Sequence, residues 1–184
     1  PGQDSTVTQA RLLTGHFVLA CVGDGFNLNG SDDTVSECYS GGNDGAGFAV
    51  AAGNVTVSAS KASYNNGSGF AVTGQRAVLA TYQAQDNQPD GFLLTATSGT
   101  SVSGCQADTN RQANFRLDGV SASSLNGLLS VYRQGGRYPE APRDGGIVIQ
   151  GGSSGCQLSG CSPEAAGGVS GSLPDGGTSQ ILTP

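Results

Sequence analysis

The 184-residue chain has no methionine and no tryptophan, a single histidine, His16, and a single lysine, Lys61. Charged residues make up 12% of it, so the surface of long amphipathic helices is missing. A net charge of -6 and a pI near 4.4 exclude nucleic acid and anionic membrane surfaces as natural partners. No apolar run approaches the roughly 18 to 20 residues that span a bilayer as a helix, so membrane insertion is not expected. One histidine without a GxSxG segment gives no serine triad. Gly67-Ser68-Gly69 lacks the third glycine of a dinucleotide fingerprint, and Lys61 stands outside any Walker pattern. The chain opens on Pro1 rather than Met, as a processed product or a segment of a longer protein would.

What is present is a repeat. Phe26, Phe48, Phe70 and Phe92 follow one another at steps of 22 residues, each after a glycine and each with an aliphatic residue two places on. Asn43, Asn65 and Asn87 keep the same step and Asn110 follows at 23. Val35, Val57, Leu79 and Val102 form a third column that slips by the same single residue. That period is one turn of a coil. If the turns stack as parallel strands about 4.8 Å apart, Phe lies on Phe, Val on Val and Asn on Asn. A stacked asparagine donates its amide to the carbonyl oxygen of the next, so a buried polar column is satisfied throughout. The 31 glycines are assigned to rung turns where positive φ is needed.

The GxGF rung starts, the aliphatic columns and the ladder Asn43, Asn65, Asn87, Asn110 resemble the right-handed parallel β-helix of pectate-lyase-like proteins and bacteriophage tailspikes over roughly residues 7 to 166. The fold class expected is all-β, a single-stranded coil with rungs of about 22 residues. A lead-in over 1–12, a coil over 13–166 and a cap or connector over 167–184 are expected. The resemblance implies a homotrimer, located on the virion or otherwise extracellular, that attaches to host cell-surface polysaccharide.

The chemistry is sparser than the fold. Cys38 and Cys105 share a column three rungs apart, roughly 14 Å, too far for a disulfide. Most of the five cysteines read as small buried hydrophobes, a Cys156–Cys161 bridge or metal pair being the alternative. The turn Gly41-Gly42-Asn43-Asp44-Gly45 is similar to a calcium-binding β-roll, but it occurs once, and a hard cation needs several oxygens, so no metal or cofactor is expected.

Paired carboxylates are the enzymatic option, since glycosidases use two of them roughly 5 to 9.5 Å apart. Asp86, Asp90 and Asp108 fall on neighbouring rungs near the ladder turn and are the catalytic candidates. Each also reads as an ordinary solvated turn residue. The lyase pattern wants an arginine beside an aspartate cluster, and none stands there in the column register. The spacing breaks once, between Phe115 and Ile147, which are 32 residues apart. The extra residues, 135–144, are expected to project and to make contacts through Arg137, Tyr138, Glu140, Arg143 and Asp144. An adhesive module of a tail spike or fibre is the first reading, and a polysaccharide lyase, glycoside hydrolase or epimerase on the same coil the second.

Overall fold

A computed structural model describes residues 5–7, 12–131, 137–138, 144–163, 169–171 and 180–182. Among the described residues there are strands and turns but no helix. All strand pairs are parallel and each strand pairs with its counterpart one turn away, which is a parallel β-helix of three sheets. Sheet 1 holds Phe26–Leu28, Phe48–Val50, Phe70–Val72, Asp90–Thr95, Ala113–Asp118 and Gly145–Gln150, extended by Ser5–Val7 and Val169–Gly171 at its ends. Sheet 2 runs from Leu13–Thr14 through Thr34–Ser36, Thr56–Ser58, Val78–Ala80, Ser101–Ser103, Ser124–Asn126 and Gln157–Ser159 to Gln180–Leu182. Sheet 3 comprises Phe17–Leu19, Tyr39–Gly41, Lys61–Ser63, Gln83–Gln85, Gln106–Asp108, Leu129–Val131 and Ser162–Pro163.

The columns read from the sequence line the interior. Phe26, Phe48, Phe70, Phe92 and also Phe115 stack with centroids 4.8 to 4.9 Å apart and planes within 10°. All five rings are at most 2% exposed. Val35, Val57, Leu79, Val102 and Leu125 form the facing wall, in register from strand to strand. Stacking every 4.8 Å is set by the backbone hydrogen bonds, and the rings accept that spacing in near-parallel contact.

The asparagine ladder is continuous. Asn43 Nδ2 donates to Asn65 Oδ1 at 2.8 Å, Asn65 to Asn87 at 2.9 Å and Asn87 to Asn110 at 3.1 Å. Each oxygen also accepts the backbone N–H of the preceding member, and Cys21 N–H supplies that bond to Asn43. The second amide hydrogens of Asn65, Asn87 and Asn110 go to the carbonyls of Ser40, Ala62 and Ala84. The glycines before each Phe have a different reason from the positive φ expected of them. Gly47, Gly69 and Gly91 lie outside the positive-φ set; a Cβ at each would come within 2.6 to 2.8 Å of a ladder amide nitrogen. They are glycine because the ladder needs the space.

Asn114 explains the one rung that begins without glycine. It occupies the position of Gly91 one rung on, accepts from Asn110 Nδ2 at 2.8 Å and donates to Ser130 Oγ at 2.8 Å. A fifth asparagine thus closes the ladder from a different column.

Candidate functional site

The ladder turn positions a polar cluster on the outside of the coil. Immediately before each ladder asparagine the chain takes a positive φ, and here non-glycine residues hold it: Tyr64 at 60°, Asp86 at 54° and Thr109 at 53°. A left-handed backbone at such residues costs on the order of 1 kcal/mol each, where Gly42 occupies the same place one rung earlier without strain. Asp86 is buried and accepts from Gln85 Nε2 at 3.0 Å and from the Arg137 backbone N–H at 2.8 Å. The negative charge of Asp86, then burial, raises the Tyr64 pKa, so the phenol keeps its proton at neutral pH.

Arg137 and Tyr138 lie across this turn. Arg137 Nη1 donates to the Tyr64 carbonyl at 3.1 Å and Nη2 to Asn66 Oδ1 at 3.1 Å. Tyr138 Oη donates to Gln88 Oε1 at 3.2 Å, which also accepts Arg111 Nη1 at 2.6 Å. Both guanidiniums approach the Tyr138 ring, Arg137 at 5.6 Å and Arg111 at 6.0 Å from its centroid. The insertion was expected to project; its described residues Arg137 and Tyr138 instead fold back over earlier rungs. Glu140 and Arg143 lie outside the described residues.

Asp90 and Asp144 belong to a second cluster, on the outer side of sheet 1. Arg116 Nε reaches Asp90 Oδ2 at 3.1 Å, its Nη2 reaches Asp144 Oδ2 at 2.6 Å, and its Nη1 reaches Gln150 Oε1 at 3.3 Å. Asp90 Oδ1 also accepts the Ala113 N–H. Burial raises the Asp90 pKa against the opposing pull of Arg116. For Arg116, burial works against the charge and the two carboxylates more than offset it, so its pKa is raised. In the column register no arginine stands beside an aspartate, yet Arg116 reaches two of them. The column register hid the pair because Arg116 aligns with Leu93, three residues past Asp90, and reaches back across the sheet.

Asp108 is fully buried and accepts the Thr109 hydroxyl. None of Asp86, Asp90 and Asp108 is a solvated turn residue: each is 2% exposed or less and each has its own partners. Among the described residues no three His, Cys, Asp or Glu side chains gather as a metal-holding group. Cys156 and Cys161 are both free thiols, donating to the Val120 and Leu125 carbonyls of the rung below. Burial raises their pKa and pushes Cys105 up to about 11, so these thiols stay protonated.

A coil of this geometry with a closed asparagine ladder defines the class, and the chain belongs to it: the right-handed β-helix region family matches residues 8–179. No curated protein sequence is similar enough to count as a relative. Among solved structures, the Dettilon tailspike protein superposes over 92% of this chain and 39% of its own, with 11% identity and a TM-score of 0.76. The A-module of the Azotobacter vinelandii mannuronan C-5 epimerase AlgE4 covers 88% of this chain and 46% of its own, with 16% identity and a TM-score of 0.68. A double mutant of the periplasmic alginate epimerase AlgG covers 94% and 44%, with 14% identity and a TM-score of 0.72. At these identities the likeness is one of fold. The chain spans less than half the length of each of these structures.

Proposed function

We propose that this β-helix is an adhesive module of an extracellular or virion appendage, a tail spike, fibre or comparable structure, that attaches to a surface polysaccharide. The observation that carries the reading is the Arg137–Tyr138 cluster folded over Tyr64, Asn66 and Gln88. It joins two tyrosine rings to planar amide and guanidinium groups, the combination that stacks on a sugar's apolar face and bonds its hydroxyls. Lys61, Arg111 and Arg137 bring cations to this side of an acidic chain, which suits a neutral or anionic glycan. The tailspike among the structural neighbours supports the same reading, and by that likeness the module works as a homotrimer. A glycan array on the purified protein tests it: binding should weaken roughly tenfold in Arg137→Ala and Tyr64→Ala, and light scattering should return a trimer. An array without a hit, or variants that bind as the parent does, would remove the reading.

A second reading rests on Asp86, buried beneath the Arg137 backbone, with the exposed Tyr64 phenol within its field. A protonated phenol near a buried carboxylate can deliver a proton to, or a carboxylate accept one from, a sugar carbon or oxygen. That is the chemistry of an epimerase, lyase or hydrolase, and two of the structural neighbours are named as epimerases. Proton NMR of polymannuronate incubated with the protein decides it: conversion that Asp86→Asn and Tyr64→Phe abolish would put the enzyme first. Asp108→Asn is the parallel test for the remaining ladder-side carboxylate.

A further inference from the structure

The outer face of sheet 3 carries a feature that the fold does not require. In register along it lie Phe17, Tyr39, Lys61, Gln83 and Gln106, one per rung. Gly41 stands two residues after Tyr39 on the same outward side, and a Cβ there would fall 2.7 Å from Tyr39 Oη and 2.8 Å from its Cε1. The tyrosine ring therefore lies flat across the strand where Gly41 leaves room for it. Its hydroxyl is tied to Ser63 Oγ on the next rung at 2.7 Å. Beside it the Phe17 ring, 76% exposed, sits 6.0 Å away between centroids. A flat ring fixed at its far end with its face turned outward is a stacking platform. The next rungs supply Lys61 Nζ and the Gln85 amide, paired at 3.4 Å, and then the cluster at Tyr64 and Arg137.

We propose that the outer face of sheet 3, from Phe17 and Tyr39 to Gln106, is a track for an extended polysaccharide lying along the coil axis. This rests on the glycan-binding reading above and adds the direction and length of the bound chain. Rungs advance by 4.8 Å, as the stacked rings show. A pyranose unit in an extended polymer advances by roughly the same distance as one strand spacing, so successive sugars meet equivalent positions on successive rungs. The four steps from Phe17 to Gln106 then hold about four to five sugars. The aromatic end takes the apolar sugar face, and the amide and ammonium end takes hydroxyls or carboxylates. Gly41 acts as a positioning residue, through Tyr39.

Calorimetry with oligomannuronates and cello-oligosaccharides, each as dimer, tetramer and hexamer, tests the track. In the series that binds, affinity should rise by roughly tenfold or more from dimer to hexamer. Phe17→Ala and Gly41→Ala should each lower hexamer affinity several-fold and leave the dimer unchanged, while Tyr39→Phe, which keeps the ring, should lose less than Tyr39→Ala. Thermal melting of Phe17→Ala should match the parent, because that ring is outside the core. Affinity independent of length, or a hexamer indifferent to Phe17→Ala and Gly41→Ala, overturns the track and leaves the Arg137 cluster as a short site. Failure of both series at every length overturns the glycan reading itself and the track with it.

Discussion

The outer faces of sheet 2 and sheet 3 hang from the same coil and differ in kind. Sheet 2 shows Thr34 and Ser36, Thr56 and Ser58, Val78 and Ala80, Ser101 and Ser103 to the outside: short, uncharged and nearly the same on each rung. Sheet 3 shows Phe17, Tyr39, Lys61, Gln83 and Gln106, all long, and of four kinds over five rungs. Their inner faces are equally regular, with Val35, Val57, Leu79 and Val102 behind one and Ala62, Ala84 and Ala107 behind the other, all fully buried. Folding is thus served by the inside of both sheets. Long side chains lose more rotamer freedom than short ones when they are ordered, and nothing in the packing requires them on sheet 3. On the proposal of a glycan track, the outside of sheet 2 is plain surface and the outside of sheet 3 the contact face.

The largest effect should come from the interior that the two faces share. Phe70→Ala should destabilise by about 3–5 kcal/mol in chemical denaturation, since the stacked rings above and below cannot close the cavity. Both outer faces would lose stability together; a loss below about 1 kcal/mol would mean that the stack is not the core. Asn65→Leu comes next. It takes the Asn65 oxygen from the side-chain amide and the backbone N–H of Asn43, and leaves Asn87 Oδ1 with only the backbone N–H at 65, at about 1–3 kcal/mol for each orphaned group. Because the ladder lies under sheet 3, hydrogen exchange should rise at 61–66 and 83–88 before it rises on sheet 2.

Two smaller changes act on corners where the periodic solution fails. In the column Cys38, Ser60, Tyr82, Cys105, the short members donate to the carbonyl two residues back, at Ser36, Ser58 and Ser103. Tyr82 is too long to do so, and its buried hydroxyl has no hydrogen-bond partner. Tyr82→Phe should therefore hold or raise stability, by up to about 1 kcal/mol. At the other edge of sheet 2, Asp33 is 2% exposed and its pKa is raised, first by burial and then by the charge of Asp32. A raised folded pKa means that ionisation opposes folding, so the stability of the parent falls as pH climbs from the ordinary carboxylate range through the folded pKa. Asp33→Asn should gain on the parent near neutral pH and lose that advantage below about pH 4. An advantage that persists in acid would place the effect in packing. The least effect on stability should come from the outer faces: Thr56→Ala and Lys61→Ala should each shift it by under about 0.5 kcal/mol, and only the second should alter glycan affinity.

Most of the coil was legible because its columns repeat at a fixed step, and the step is enforced by backbone pairing that every rung shares. The part Asn114 plays in the ladder lay beyond that reading. Phe115 follows Asn114 instead of glycine, and Asn114 enters the ladder from a column where four earlier rungs need glycine for space. The site was less legible because its contacts break the period. Arg116 reaches Asp90 diagonally across the sheet, and Arg137 folds back 71 residues to Asn66. Tyr39 lying over Gly41 had a signal in the sequence, a bulky aromatic two places before glycine on a single rung, but the same glycine also reads as part of the turn that follows.

Amide hydrogen exchange of the intact protein, with and without a saturating hexasaccharide from the series that binds, tests the central claim most directly. The account predicts slowed exchange along 39–41, 61–66 and 83–88 and at 137–138, with the strands of sheet 2 unchanged. Protection confined to sheet 2, or spread evenly over both faces, would contradict it.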